Sequence, residues 1–220
     1  MGLDHSPLIA TDGLQIFLDA GNTRSYSGSG NTTFDLSGSG NTSALTNGVS
    51  YLSSNLGTFS LDGTNDYILV NSQANILSKT AYTKIAWFYV TSFATANNII
   101  SGGFSGQHAF WLFVSNRLYA GHNGNWSTVT GNTTLSLNTW YHGAVTYNNS
   151  TGWKLYLNGR EDGTSVDTTT FINNQEISIG SYGAGNYFTG RIASVQVYNR
   201  ALTASEIVQN YNATKRRYGL

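Results

Sequence analysis

The stretch Trp153-Lys154-Leu155-Tyr156-Leu157-Asn158-Gly159 decides the fold. Trp153, Leu155 and Leu157 alternate with Lys154 and Tyr156. A period of two sends successive side chains to opposite faces of an extended strand. The run ends on Asn158-Gly159. Both residue types tolerate positive φ, which a two-residue hairpin turn requires, so one strand is predicted to fold back onto the next. Outward from this hairpin the same period recurs. Leu14, Ile16 and Leu18 alternate with Gln15, Phe17 and Asp19. The stretches 82–90, 109–115, 141–147, 176–180 and 191–199 are rich in Val, Ile, Tyr, Phe and Trp and are bounded by Gly, Asn and Ser. That is the pattern of short strands between turns. About a dozen such strands predict an all-β fold, an antiparallel two-sheet β-sandwich, and not a βαβ arrangement.

One segment departs from the rule. Thr203-Ala204-Ser205-Glu206 has the spacing of a capping box, and Ile207 and Tyr211 follow four residues apart. A short C-terminal helix of about ten residues is expected, with one apolar face on the sandwich. Residues 22–56, dominated by Ser, Gly, Asn and Thr, read as the least structured part. Residues 28–32 and 38–42 share the string Gly-Ser-Gly-Asn-Thr, which is local low complexity and not a solenoid. No Pro-rich or charged linker divides the chain. One domain is expected over 12–212, with an N-terminal tail at 1–11 and a basic tail at 213–220 carrying Lys215-Arg216-Arg217. Met1–Ala10 and Lys215–Leu220 are the expected docking tails.

Composition narrows the function. Gly 25, Ser 25, Thr 26 and Asn 24 make up 100 of 220 residues, and charged residues are only 10%. Aromatics at 13% and zero net charge are the opposite of a disordered chain's profile. The neutral polar residues therefore become turns and outward faces. Zero net charge argues against nucleic acid as a partner, because duplex binding is driven by phosphate neutralisation. The longest apolar runs, 85–90 and 109–114, have six residues. A membrane span needs about twenty, so no membrane partner is expected. The first residues carry neither a basic nor an apolar segment of the secretory kind. There is no Cys, hence no disulfide or thiolate chemistry.

Four motifs, in order, resemble the laminin-G-like, concanavalin A-like jelly rolls. They are Leu61-Asp62-Gly63-Thr64-Asn65-Asp66-Tyr67-Ile68, then Trp140-Tyr141-His142 leading into Val145-Thr146-Tyr147, then Leu155-Tyr156-Leu157-Asn158-Gly159. The last is Gly190-Arg191-Ile192 through Val197-Tyr198-Asn199-Arg200-Ala201-Leu202, with Ser205-Glu206-Ile207. The resemblance covers roughly 12–212 and implies two curved antiparallel sheets stacked face to face. The fold carries lectins, glucanases and structural modules, so it does not decide function. A second, narrower resemblance is to structural proteins of tailed phages. It rests on the phrasing of residues 12–22, 34–38 and 206–214.

Glucanases of the superfamily carry paired carboxylates, about 5–5.5 Å apart in retaining enzymes. This chain has three Glu, namely Glu161, Glu176 and Glu206. Glu161 and Asp162 are adjacent, so a strand would point them to opposite faces, and the hairpin turn beside them favours a solvated loop. Glu206 belongs to the capping box and Glu176 stands alone. The chain is not expected to be an enzyme. No nucleophile elbow appears, and His5, His108, His122 and His142 are dispersed. His142 reads as a sheet residue. Asp62-Gly63-Thr64-Asn65-Asp66 offers hard oxygen ligands, so Asp62 and Asp66 are the calcium candidates, beside the plainer reading as an Asp-Gly turn.

Sugars are gripped by aromatic faces and by amide or carboxylate hydrogen bonds to hydroxyls. Trp87, Phe88, Phe110, Trp111, Trp140 and Trp153 lie in strand patterns and read as core. Trp126 sits among Asn, Gly and Ser in what reads as a loop, and a second aromatic–polar loop spans 182–187. The ligand-binding candidates are His122, Asn125, Trp126, Tyr182, Asn186 and Tyr187. The expected function is a non-catalytic structural or binding module on a phage virion surface. It would sit as a homo-oligomer against other virion proteins and bind host-surface polysaccharide. The alternative is an extracellular stand-alone lectin or carbohydrate-binding module; a glycoside hydrolase is the third reading.

Overall fold

Alternation builds the sheets where it occurs, and β1 shows the rule, with Leu14, Ile16 and Leu18 buried and their neighbours half-buried. The computed structural model describes residues 8–71, 76–102, 107–172, 177–183 and 185–220, with Val114 as backbone only. The first seven residues, with His5, and Glu176 lie outside the described residues. The early strands are β1 (Leu14–Asp19), β2 (Thr32–Phe34), β3 (Thr42–Thr46), β4 (Ser50–Leu52), β5 (Thr58–Asp62) and β6 (Tyr67–Asn71). Next come β7 (Ala81–Val90), β8 (Asn97–Asn98), β9 (Ile100–Ser101), β10 (His108–Phe113), β11 (Arg117–His122) and β12 (Asn125–Thr130). The chain continues with β13 (Trp140–Asn148), β14 (Gly152–Leu157), β15 (Arg160–Ser165), β16 (Ile177–Ile179) and β17 (Thr189–Tyr198). Helix α1 (Ala204–Thr214) and a 3-10 turn (Lys215–Tyr218) follow.

One layer is an eight-stranded sheet in the order β15-β14-β13-β7-β17-β5-β4, with β1 also paired to β17. The facing layer holds a four-stranded sheet, β12-β11-β10-β8, and a five-stranded one, β2-β3-β6-β16-β9. These two meet at Ile99, between β8 and β9. The Ile99 N–H donates to the Phe110 carbonyl at 2.9 Å, and its carbonyl accepts from the Gly180 N–H at 3.1 Å. Phe110, Leu112, Leu118 and Ala120 from one layer pack with Ala86, Phe88, Val145 and Leu155 from the other. The result is the expected antiparallel two-layer sandwich with its C-terminal helix. The predicted hairpin is in place, with β14 paired to β15 across Asn158 (φ 49) and Gly159 (φ 78).

Two expectations need correction. Residues 22–56 carry three short strands, β2 to β4, whose Ser and Thr content hides the alternation. The stretches set aside as tails also carry packed residues. The Ala10 N–H donates to Asn210 Oδ1 at 2.8 Å, and its carbonyl accepts from the Tyr198 hydroxyl at 2.9 Å. At the other end, the Tyr218 ring stacks on Trp87 at 4.0 Å between centroids. Arg217 pairs with Asp19 at 2.5 Å and donates to the carbonyls of Asn55 and Gly57. The cause is the outer face of the eight-stranded sheet. Ile85, Trp87 and Trp140 stand there, and α1 with the 3-10 turn covers them. The capping box forms as expected: Thr203 Oγ1 accepts from the Glu206 N–H, and the Glu206 carboxylate accepts from the Thr203 N–H at 2.8 Å.

Candidate functional site

The site is built on the outer face of β10 to β12. In β10, Phe110 and Leu112 turn inward and are fully buried, so Trp111 and Phe113 face out. Asn123 (φ 55) and Gly124 (φ 88) form the tight turn between β11 and β12. Trp126 is therefore a strand residue, the second of β12, and not part of a loop. It is half-buried, and its ring meets that of Tyr182 at 5.0 Å with planes 60° apart. Trp111 Nε1–H donates to the Trp126 backbone carbonyl at 2.8 Å, which pins the Trp111 indole to the main chain of β12.

Tyr182 is presented by a tight turn in which it and Gly185 exchange backbone hydrogen bonds of 3.1 and 3.3 Å. Asn186 follows in the left-handed region, φ 51, which Asn tolerates. Its carbonyl accepts from Asn98 Nδ2 at 3.1 Å. Asn98 is itself held by Ser101 Oγ, which donates to Asn98 Oδ1 at 2.7 Å. The neighbouring Asn97 accepts from the Thr189 N–H at 2.7 Å, so two buried amides clamp the far side of the site.

Trp126, Tyr182, Trp111, Asn186, Asn98 and Ala109 line an open cleft of about 80 Å³. A second depression of about 440 Å³ shares Trp111 and Asn186 with it and is bounded by Phe113 and residues 94–96. None of the described lining side chains is charged. Aromatic faces beside amides suit the C–H surface and hydroxyls of a sugar.

Of the six ligand-binding candidates, Trp126, Tyr182 and Asn186 are brought together here. His122 is not, and this corrects the sequence reading. Alternation along β11 puts Leu118, Ala120 and His122 on the inner face, and His122 is 3% exposed. Its ring lies 4.7 Å from those of Tyr147 and Trp153 and stacks on Phe171. Burial pulls its pKa down to about 4. Asn125 is exposed beside the turn, where its carbonyl accepts from Thr128 Oγ1, and it does not line the cleft. Tyr187 is also outside it, with its ring 6.4 Å from that of Tyr67. Trp111 and Asn98 were missed. Trp111 reads as core in the sequence because both faces of β10 are apolar, so alternation alone cannot say which one faces out. Asn98 carried no signal beyond its residue type.

The acidic residues are engaged elsewhere. Asp62 Oδ1 accepts from the Thr64 N–H at 2.7 Å, as in an Asp-Gly turn, and Asp66 Oδ2 accepts from the Asp62 N–H at 3.1 Å. Asp66 is buried, which raises its pKa. Glu161 pairs with Lys154 at 2.7 Å. Asp162 is buried in β15, and its Oδ1 accepts from the Thr133 N–H at 3.0 Å. Glu206 is held by Arg200, whose hydrogen bonds with the cap's push its pKa down to about 2. Glu176 lies outside the described residues. His142 is in β13, buried edge-on against Trp87.

Residues 62–208 match the family model of the concanavalin A-like lectin/glucanases superfamily. That is more than half of the chain, and the protein belongs to this superfamily. No curated protein sequence matches the chain. Among solved structures, it is similar to domain 4 of an extracellular arabinanase from Geobacillus stearothermophilus, in complex with arabinotriose. That likeness has a TM-score of 0.67 at 18% identity and covers 90% of this chain and 98% of that one. It is similar to a botulinum neurotoxin type C structure whose subject is interaction with two ganglioside molecules (TM-score 0.71, 16% identity, 93% of this chain and 52% of that one). It is similar as well to Trypanosoma rangeli sialidase in complex with sialic acid (TM-score 0.70, 14% identity, 95% of this chain). The chain spans 34% of that sialidase, and the likenesses establish a shared fold.

Proposed function

We propose that this protein is a non-catalytic carbohydrate-binding module and that the cleft between Trp126 and Tyr182 is its sugar site. The observation that carries the reading is the meeting of two aromatic rings from distant segments, Trp126 and Tyr182, over an open, uncharged cleft, beside a second indole, Trp111, pinned by a hydrogen bond. Both rings are half-buried, so each keeps part of its surface open to a ligand. The cleft volume of about 80 Å³ is far below the ~300–1,000 Å³ of a pocket that encloses its ligand. The site therefore grips one face of a sugar and leaves the other in water. The arabinotriose complex of the arabinanase domain supports sugar binding on this fold. The engagement of Glu161 by Lys154 and of Glu206 by Arg200 supports a role without catalysis.

The setting we propose is the surface of a tailed-phage virion, with the module as a homo-oligomer on other virion proteins and host polysaccharide as the ligand. The support is the phrasing of residues 12–22, 34–38 and 206–214. Mass spectrometry of purified particles tests it, since the chain's absence from them removes the virion role. An immobilised glycan panel tests the sugar site. Trp126→Ala removes one of the two facing rings and should cost about 1.5 kcal/mol, or about tenfold in affinity. Silence of the whole panel, or a variant that binds like the parent, refutes the reading.

A further inference from the structure

We infer that the cleft is one half of a two-subsite groove divided by Trp111, and that its ligand is an uncharged oligosaccharide of at least two sugar units. The inference rests on the carbohydrate reading and extends it to the class and length of the sugar. Two neighbouring depressions share the same pair of residues, Trp111 and Asn186. One ends on Trp126 and Tyr182, the other on Phe113. The indole between them is fixed, because its Nε1–H is bonded to the Trp126 carbonyl at 2.8 Å. Phe113 lies nearly parallel to it, 6.0 Å away with planes 23° apart, and is 37% exposed. A single sugar on Trp126 and Tyr182 would leave that second aromatic face in water. A further unit of the same chain would cover it.

Asn186 reaches both depressions and is held by Asn98 from below. An Asn amide offers both a donor and an acceptor to hydroxyls on either side of the linkage. Charge decides the class. Burying a carboxylate or sulfate against these walls needs a cation to offset its lost hydration. The described side chains lining both depressions are aromatic, amide, hydroxyl or methyl. Arg117, opposite Phe113 in β11, lines neither of them. Neutral glycans are therefore favoured over sialylated ones.

The test is calorimetric titration with arabino-, cello- and malto-oligosaccharides of one to four units, and with lactose against 3′-sialyllactose. In the series that binds, affinity is expected to rise at least tenfold from one unit to two and to level off by three. Phe113→Ala should lower affinity for the disaccharide at least fivefold while leaving the monosaccharide's unchanged, which also shows that the variant is folded. Sialyllactose should bind no more tightly than lactose. Equal affinity for one and two units, an inert Phe113→Ala, or tighter binding of sialyllactose overturns the inference. If the first two results come with a Trp126→Ala variant that still loses the monosaccharide, the carbohydrate reading stands and the second subsite falls; if the third does, the reading stands and the uncharged class falls. If no series binds at all, both fall.

Discussion

His142 makes the fold sensitive to acid by an amount that can be worked out. Its ring sits on the outer face of β13, 1% exposed, edge-on to Trp87 at 5.2 Å and to Tyr211 at 5.6 Å. Its Nδ1 has no hydrogen-bond partner among the described residues. Burial holds the imidazole neutral and lowers its pKa from 6.5 to about 3. The unfolded chain takes up the proton as pH falls through 6.5, and the folded one does not until about 3. Over that window the unfolded state binds more protons, so stability falls with pH. Between pH 7.5 and 5.0 the loss from this residue is about 2 kcal/mol. His122, lowered to about 4 by burial, adds a loss of about the same size. Together they take a large share of the ~5–15 kcal/mol that holds a domain folded. His142→Phe keeps a ring between Trp87 and Tyr211 and removes the titration. Urea unfolding at both pH values, followed by tryptophan fluorescence, should show the parent losing about 2 kcal/mol more than the variant. Equal losses would refute the assignment of a neutral, buried His142.

Three further substitutions probe the frame around the site. Arg217→Ala strands the partly buried Asp19 carboxylate and frees two carbonyls, and should cost about 3 kcal/mol in the same urea assay. Gly121→Ala places a methyl 1.8 Å from the Asn125 carbonyl, inside the hairpin that carries Trp126. It should cost about 1–3 kcal/mol and weaken glycan binding, read as urea midpoint and panel affinity together. Thr203→Ala removes the helix cap and should lower stability by about 1 kcal/mol, measured as a shift in thermal midpoint.

The sandwich was legible because alternation is a local signal. Trp153 to Gly159 specifies a strand and its turn without reference to anything distant, and the capping box does the same for α1. The weak places are those where alternation carries no contrast. In β10, Ala109 to Phe113 are all apolar, so the sequence cannot say that Trp111 faces out. In β2 to β4, Ser and Thr stand on both faces, so the strands are hidden. Polar residues flank the Asn123-Gly124 hairpin and give it the look of a loop, which sets His122 beside Trp126 in the sequence although alternation along β11 sends it into the core. Tyr182 and Trp126 were each visible as unusual aromatics. Their contact at 5.0 Å is a product of chain packing over more than fifty residues, which no local pattern encodes. Arg217 likewise finds Asp19 only because the outer face of the eight-stranded sheet is apolar and must be covered.

The chain's five tryptophans offer the most direct test of the central claim. Trp87, Trp140 and Trp153 are buried, the first two beneath the C-terminal segment and the third in the sandwich, while Trp111 and Trp126 stand at the cleft. Each gives one indole N–H signal in a ¹H–¹⁵N spectrum. On titration with the neutral trisaccharide that binds most tightly, the Trp111 and Trp126 signals should shift along a saturating curve and the other three should stay in place. Saturable binding of that sugar with Trp111 and Trp126 unmoved would contradict the assignment of this cleft as the binding site.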